Sequence, residues 1–228
     1  MLDVRHLNVR LDNKDIVEDL NFELEEGDSL SIIGPNGSGK TVLLKALLNL
    51  VRYSGEISWG PDVRIGYVPQ KIDANRGLPI TFENLFASKQ DLVGAARSEV
   101  EAIWREVGLK QDMLKTAIGD LSGGEFQRGL IAFALIGKPN VILFDEPTAS
   151  IDRPGEEHVY NLIHALHDEH QLTVIIVSHD LSFVYRYATK VLCLNRRGVC
   201  FGPPRQALTP DVLDRLYGDA MGYYRHTH

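Results

Sequence analysis

One octapeptide constrains the fold of this chain more than any other feature. It reads Gly34-Pro35-Asn36-Gly37-Ser38-Gly39-Lys40-Thr41 and fits G-x-x-x-x-G-K-[ST] at every position. The run before it, Ser29-Leu30-Ser31-Ile32-Ile33, is short and apolar and reads as a buried strand. Residues 41–50 after it are rich in Leu and Ala and read as a helix. Glycines in such a loop let the backbone curl so that successive N–H groups point inward at an anion. The helix N-terminus adds a favourable dipole. Lys40 supplies a cation, and the Thr41 hydroxyl is a ligand for Mg2+. Strand, loop and helix together make a binder of nucleotide phosphates.

The rest of the chain supplies an α/β frame for that loop. Near the N-terminus Val4, Leu7, Val9 and Leu11, then Phe22 and Leu24, alternate with polar residues, with turns at Asp12-Asn13-Lys14 and Glu26-Gly27-Asp28. This predicts an antiparallel β subdomain. A further strand over 63–68 ends at Pro69. Residues 71–120 differ: helices are predicted over 81–88 and 95–107, with no strong strand, as an inserted helical subdomain. After 121, helices over 124–136, 155–170 and 181–188 alternate with β-branched strands over 141–144, 173–177 and 191–194. That rhythm indicates a mostly parallel sheet covered on both faces. The expected organisation is therefore one domain: a nucleotide-binding core from 1–70 and 121–205, the helical subdomain, and a tail from 206–228.

Composition narrows the partners. The net charge of -7 argues against nucleic acid, whose binders carry a basic excess. The longest apolar run, 130–136, is too short to span a bilayer. No signal-peptide pattern opens the chain, so a cytoplasmic protein reaching a membrane through a partner is expected. The two cysteines, Cys193 and Cys200, flank a turn-like Asn195-Arg196-Arg197-Gly198. They read as small apolar side chains in a hairpin, with no disulfide expected in a reducing compartment.

Two further motifs carry chemistry. The strand over 141–144 runs into Asp145-Glu146-Pro147, where α/β sheets bind ligands. Asp145 there would hold Mg2+, and Glu146 would polarise an attacking water. Leu121-Ser122-Gly123-Gly124-Glu125 contains a capping box, Ser122 to Glu125, that starts a helix. The box does not require Gly123 and Gly124. Two glycines at a helix start expose backbone N–H groups to an outside anion.

These motifs in this order resemble the ABC (ATP-binding cassette) ATPase family. The signature Leu-Ser-Gly-Gly-Glu stands unaltered; Gln70 matches the Q-loop glutamine, Ser150-Ile151-Asp152 the D-loop, and His179 the switch histidine. The resemblance covers about residues 1–205 and implies a P-loop NTPase fold of the ABC type, with ATP and Mg2+ as ligands. It also implies a homodimer packed head to tail. Each ATP would lie between residues 34–41 of one copy and Ser122, Gly123, Gly124 and Glu125 of the other. Glu146, His179 and Gln70 would be catalytic, Thr41, Gln70 and Asp145 would serve Mg2+, and Asp152 would communicate across the interface. Leu11 stands where the family stacks adenine on an aromatic ring, which implies weaker nucleotide affinity.

Residues 64–71, 191–195 and 221–228 look like the ATPases of bacterial zinc and manganese importers. That resemblance implies uptake of a divalent metal ion, zinc first and manganese next, through an integral membrane permease. The chain would sit peripherally on the cytoplasmic face, and an extracytoplasmic metal-binding protein would take part indirectly. The permease would dock on the helical subdomain, with Leu78, Ile80, Phe82, Leu85 and Phe86 as candidates for that surface or, alternatively, as ordinary subdomain core. His226 and His228 could offer zinc donors, although a frayed terminus is the blander reading. His164, His167 and His170 recur beside Asp168, opposite a core face of Val159, Leu162, Ile163 and Leu166, and read as a solvated polar face. The alternatives are an ABC ATPase for another substrate, or a nucleotide-gated regulatory or assembly protein. Glu146 and His179 argue against the latter.

Overall fold

The structure is a computed structural model that describes residues 1–70, 79–149 and 151–218. The strands are β1 (Leu2–Leu11), β2 (Lys14–Leu24), β3 (Ser29–Ile33), β4 (Ser54–Trp59), β5 (Ile65–Val68), β6 (Val141–Asp145), β7 (Thr173–Val177), β8 (Lys190–Asn195) and β9 (Arg197–Gly202). The helices are α1 (Lys40–Leu47), α2 (Phe82–Val93), α3 (Arg97–Glu106), α4 (Gly123–Leu135), α5 (Arg153–His170), α6 (Leu181–Tyr187), α7 (Pro204–Ala207) and α8 (Pro210–Tyr217). Short 3-10 segments, Gln111–Lys115 and Ile118–Asp120, lead into α4. Two compact units result: Met1–Asp62 with the described residues from Thr173 onward, and Val63–Leu172.

In the first unit, β2, β1 and β4 form an antiparallel sheet. Asp12 and Asn13, with φ of 47° and 63°, make the turn that the twist of β1 and β2 needs. Leu2, Val4, Leu7 and Val9 of β1 and Val17, Leu20, Phe22 and Leu24 of β2 are buried; the three-residue steps from Val4 to Leu7 and from Val17 to Leu20 stay on one face because the register shifts there, at His6 and Asp19 with positive φ. β3 runs parallel to both β7 and β8. Every residue of β3 is buried, which is why its sequence is a continuous run rather than an alternating one. β9 returns antiparallel to β8.

One expectation for this unit is corrected. Cys193 and Cys200 are joined by a disulfide. The β8–β9 register sets them opposite each other, with Cα atoms 4.8 Å apart, inside bridging range. Register decides the pairing here, where a reducing compartment would disfavour it. The segment from 206 also carries structure of its own. Thr209 caps α8 by accepting the Val212 N–H, and Pro210 opens the helix. Leu208, Val212 and Leu216 then pack with Ile33, Val191 and Cys193.

In the second unit β5 and β6 pair in parallel, Ile65 opposite Val141 through Val68 opposite Phe144. The helical part is held by an aromatic cluster: Phe82 against Phe86, Trp104 and Phe126, and Phe86 against Trp104 and Phe133. Phe82 and Phe86 are fully buried. They are core, which removes them from the expected docking surface. Ile80 and Leu85 are half-buried, and Leu78 lies outside the described residues. α2 starts on a Thr81–Asn84 capping box and stops at Gly94 in the left-handed conformation. On α5, Val159, Tyr160, Ile163 and Leu166 are buried; Leu162 is half-buried, and Tyr160 takes a place on the core face.

Gly129 of α4 sets how closely that helix meets α2. A Cβ there would lie 2.2 Å from the Phe82 ring. Gly129→Ala is expected to lower stability by about 1–3 kcal/mol in urea unfolding. The loss should be smaller when Phe82→Leu is already present, since the two share one space. Additive losses would contradict this packing.

Candidate functional site

The phosphate loop belongs to the first unit. Where the chain leaves β3 at Gly34, a Cβ would stand 2.0 Å from the Leu194 carbonyl oxygen, so only glycine passes. Lys40, at the start of α1, is 6% exposed, and its Nζ donates to the carbonyls of Gly34 at 2.9 Å and Pro35 at 3.1 Å. The ammonium is thus held against the loop that it serves. Ser38 is buried, and its hydroxyl has no hydrogen-bond partner among the described residues. Its carbonyl accepts the Arg196 N–H at 3.1 Å, which ties the loop to the turn between β8 and β9. The Gly34 N–H donates to the Tyr217 hydroxyl. Burial pushes the Tyr217 phenol above its ordinary pKa, and the Gly34 bond works against that rise. Pro35 and Thr41 are half-buried, while Asn36, Gly37 and His179 are exposed. Leu11, at the end of β1, is 36% exposed. Asp180, next to His179, caps α6 by accepting from Ser182 and Phe183 N–H.

The carboxylates belong to the second unit. Asp145 ends β6, 2% exposed. The Tyr67 hydroxyl donates to it, and the Tyr67 phenol is pushed up to about 12, first by burial and then by the Asp145 charge and hydrogen bond. Glu146 follows with φ 47°, a left-handed backbone uncommon for a residue with a side chain. Such strain costs on the order of 1 kcal/mol or more. Gln70 Nε2 donates to Glu146 Oε2 at 2.8 Å, although the residues lie 76 positions apart. A half-buried carboxylate oriented by an amide donor can take a proton from water.

The signature residues are in the same unit. Ser122 Oγ donates to Glu125 Oε2 at 2.7 Å, the Ser122 N–H donates to the same oxygen at 2.9 Å, and Glu125 N–H donates back to Ser122 Oγ at 3.3 Å. These bonds hold the Glu125 carboxyl below its ordinary pKa, the Ser122 hydroxyl contributing most. Gly123 and Gly124 form the first turn of α4. They share a cleft of about 340 Å³ with Ser122, Arg128, Asp152 and His158. The cleft brings the signature and the D-loop aspartate together; Ser150 lies outside the described residues.

The donor chemistry suits a magnesium polyphosphate. The Gly34 cradle, the unpartnered Ser38 hydroxyl and the buried Lys40 ammonium fit phosphate oxygens. Thr41 in the first unit, and Asp145 and Gln70 in the second, carry oxygen donors of the hard kind that Mg2+ takes. Tyr217, Tyr67 and Arg196 had escaped the sequence reading. Thr209-Pro210 was a helix-start signal that could have pointed to Tyr217; nothing local marks the other two.

A curled phosphate loop, strand-end acids and a glycine-rich capped helix define a phosphate-loop ATPase. Residues 17–149 match the ABC transporter family. The chain belongs to that family, and the fold and ATPase class expected from its motifs are borne out. It is similar to the zinc import ATP-binding protein ZnuC of Haemophilus influenzae, 36% identical over 233 residues that cover 100% of this chain and 85% of the relative. ZnuC of Brucella abortus is also 36% identical, covering 100% of this chain and 77% of the relative. Among solved structures, a chain of an inward-facing ABC transporter matches with TM-score 0.84 and 28% identity, over 95% of this chain and 88% of that one. The dimeric bacterial cassette MJ0796 matches with TM-score 0.76 and 24% identity, over 90% and 99%, a likeness of fold alone.

Ser122→Ala removes the cap and returns the Glu125 carboxyl towards its ordinary range. A carboxylate held low in the folded state adds stability above its unfolded pKa and loses it as pH falls through the folded value. Urea unfolding at neutral pH should therefore find Ser122→Ala less stable by about 1 kcal/mol. Part of that gap should close on acidification; a gap constant with pH would contradict the coupling.

Proposed function

We propose that the chain is the ATP-hydrolysing subunit of a zinc importer, with manganese the next candidate cargo. The observation that carries this reading is the whole-chain likeness to proteins named zinc import ATP-binding proteins, on a chain whose hydrolysis motifs are intact. It works as a homodimer on the cytoplasmic face of a permease. No helix among the described residues is long and apolar enough to cross a membrane itself. An extracytoplasmic binding protein delivers the metal, so this chain supplies work rather than selectivity.

Residues 34–41 take the phosphates of ATP, their N–H groups and Lys40 facing the β- and γ-phosphates. Thr41, Asp145 and Gln70 would hold Mg2+, which would supply positive charge against those phosphates. Glu146 orients a water and accepts its proton as the oxygen attacks the γ-phosphorus, and ADP leaves from the opposite side. Gln70 keeps Glu146 in place. His179 hydrogen-bonds the γ-phosphate. Ser122, Gly123, Gly124 and Glu125 of a second copy close on the same phosphate, where the α4 N-terminus favours an anion. Asp152, in the cleft beside that signature, reports closure to the other site. Leu11 lies under adenine and offers apolar contact without stacking.

Two measurements test this. In vesicles holding the permease, ATP should drive zinc uptake, and Glu146→Gln should slow hydrolysis by about a hundredfold or more while ATP still binds. ATP-driven uptake of other metals but not zinc would remove the zinc assignment. An unchanged hydrolysis rate in Glu146→Gln would remove the catalytic one. Leu11→Phe should tighten ATP binding by about fivefold or more in equilibrium dialysis; an unchanged affinity would place adenine elsewhere.

A further inference from the structure

The histidines of α5 between 164 and 170 fall into two groups. His170 pairs with Glu106 of α3, beside Glu169, in an exposed group. His164 and His167 converge instead on Asp168. Asp168 Oδ2 lies 3.5 Å from His164 Nε2, and its Oδ1 lies 2.9 Å from His167 Nδ1. The two imidazoles stack with centroids 6.3 Å apart. One donor atom from each of the three residues falls within 4.8 Å of the others.

Those separations suit a metal ion. Ligands at about 2.0–2.1 Å from a tetrahedral zinc stand about 3.3–3.5 Å from one another, so small rotations of the side chains complete the geometry. Spacings of three and four residues place the donors on one helical face. The turn that carries them is anchored from the other side by buried Val159, Ile163 and Leu166. The His164 and His167 side chains are only 39% and 20% exposed, while that of Asp168 is 58% exposed. Asp168 is held below its ordinary pKa, chiefly by the His167 hydrogen bond, and stands ionised. Two imidazoles and one carboxylate select zinc and its neighbours in the first transition row over Mg2+ or Ca2+, which take all-oxygen shells. The Glu106, Glu169 and His170 group offers one imidazole against two carboxylates, a poorer match to zinc.

We propose that His164, His167 and Asp168 form a binding site for a zinc-class divalent ion on α5, separate from the nucleotide machinery. The assignment does not depend on which ion the transporter carries. The donors meet only when the helix is formed, so the ion binds the folded chain and raises its unfolding midpoint with concentration.

The test is calorimetric titration of the full chain with zinc chloride alone, with cobalt(II) absorption as a second readout. Wild type should bind zinc and give the intense visible bands of low-coordinate cobalt. His164→Ala with His167→Ala should lose one equivalent or weaken it at least tenfold, and the bands should vanish with it. His170→Ala, and His226→Ala with His228→Ala, should retain that equivalent. Asp168→Asn, which keeps both rings, should weaken it too, and serves as the readout if the double variant unfolds. The proposal fails if wild type binds no zinc. It fails equally if the folded His164/His167 variant binds as wild type does, or if the loss follows His170 or the two terminal histidines.

Discussion

Where the chain leaves β3, a carbonyl of β8 occupies the space that a side chain on Gly34 would need. The phosphate loop depends on that contact. β3 is buried along its whole length between β7 and β8, so its end point cannot drift, and the loop must begin against Leu194. Other contacts then hold the curl: Arg196 on the Ser38 carbonyl, Tyr217 on the Gly34 N–H, and Lys40 on the carbonyls of Gly34 and Pro35. The disulfide between Cys193 and Cys200 closes the hairpin that carries Leu194 and Arg196. Inward-facing N–H groups are thus a product of sheet packing as much as of loop composition.

The second unit delivers acids by the same logic of strand ends. β6 is buried throughout and stops at Asp145. The left-handed turn at Glu146 sends the next carboxylate to Gln70, just beyond the neighbouring strand. Strain at this residue is tolerated because two strands and an amide fix its surroundings. The signature is positioned by a different device, a capping box that leaves its glycines at the mouth of a cleft facing Asp152. One unit therefore gathers cationic and N–H groups; the other gathers carboxylates and a second glycine-lined helix start. In the proposed dimer, the phosphate loop and the carboxylates of one copy serve one nucleotide, and its signature serves the other.

Much of this was legible because it is local. The phosphate loop, the capping box and the alternation of β1 and β2 are patterns of near neighbours, and the structure holds them where the sequence placed them. Contacts across long separations were less legible. Gln70 could be paired with the carboxylate strand only through family resemblance, since 76 positions separate it from Glu146. The disulfide was missed because compartment was weighed ahead of register, and Tyr217 because an eight-residue helix was read as part of a tail. Phe82 and Phe86 stay open between docking surface and core in the sequence, because apolar periodicity does not say which side of a small helical unit is inside. The histidines of α5 were grouped by their three-residue step, whereas contact with α3 and the one-residue offset of Asp168 divide them.

In the proposed dimer, two copies of the chain complete each other's sites around ATP. Sedimentation of Glu146→Gln with and without Mg-ATP tests that most directly. The account predicts a monomer without nucleotide and a dimer with it, and Ser122→Arg in the same chain, which blocks the signature, should return the monomer. A chain that stays monomeric at saturating Mg-ATP, or that dimerises equally with the signature blocked, would contradict it.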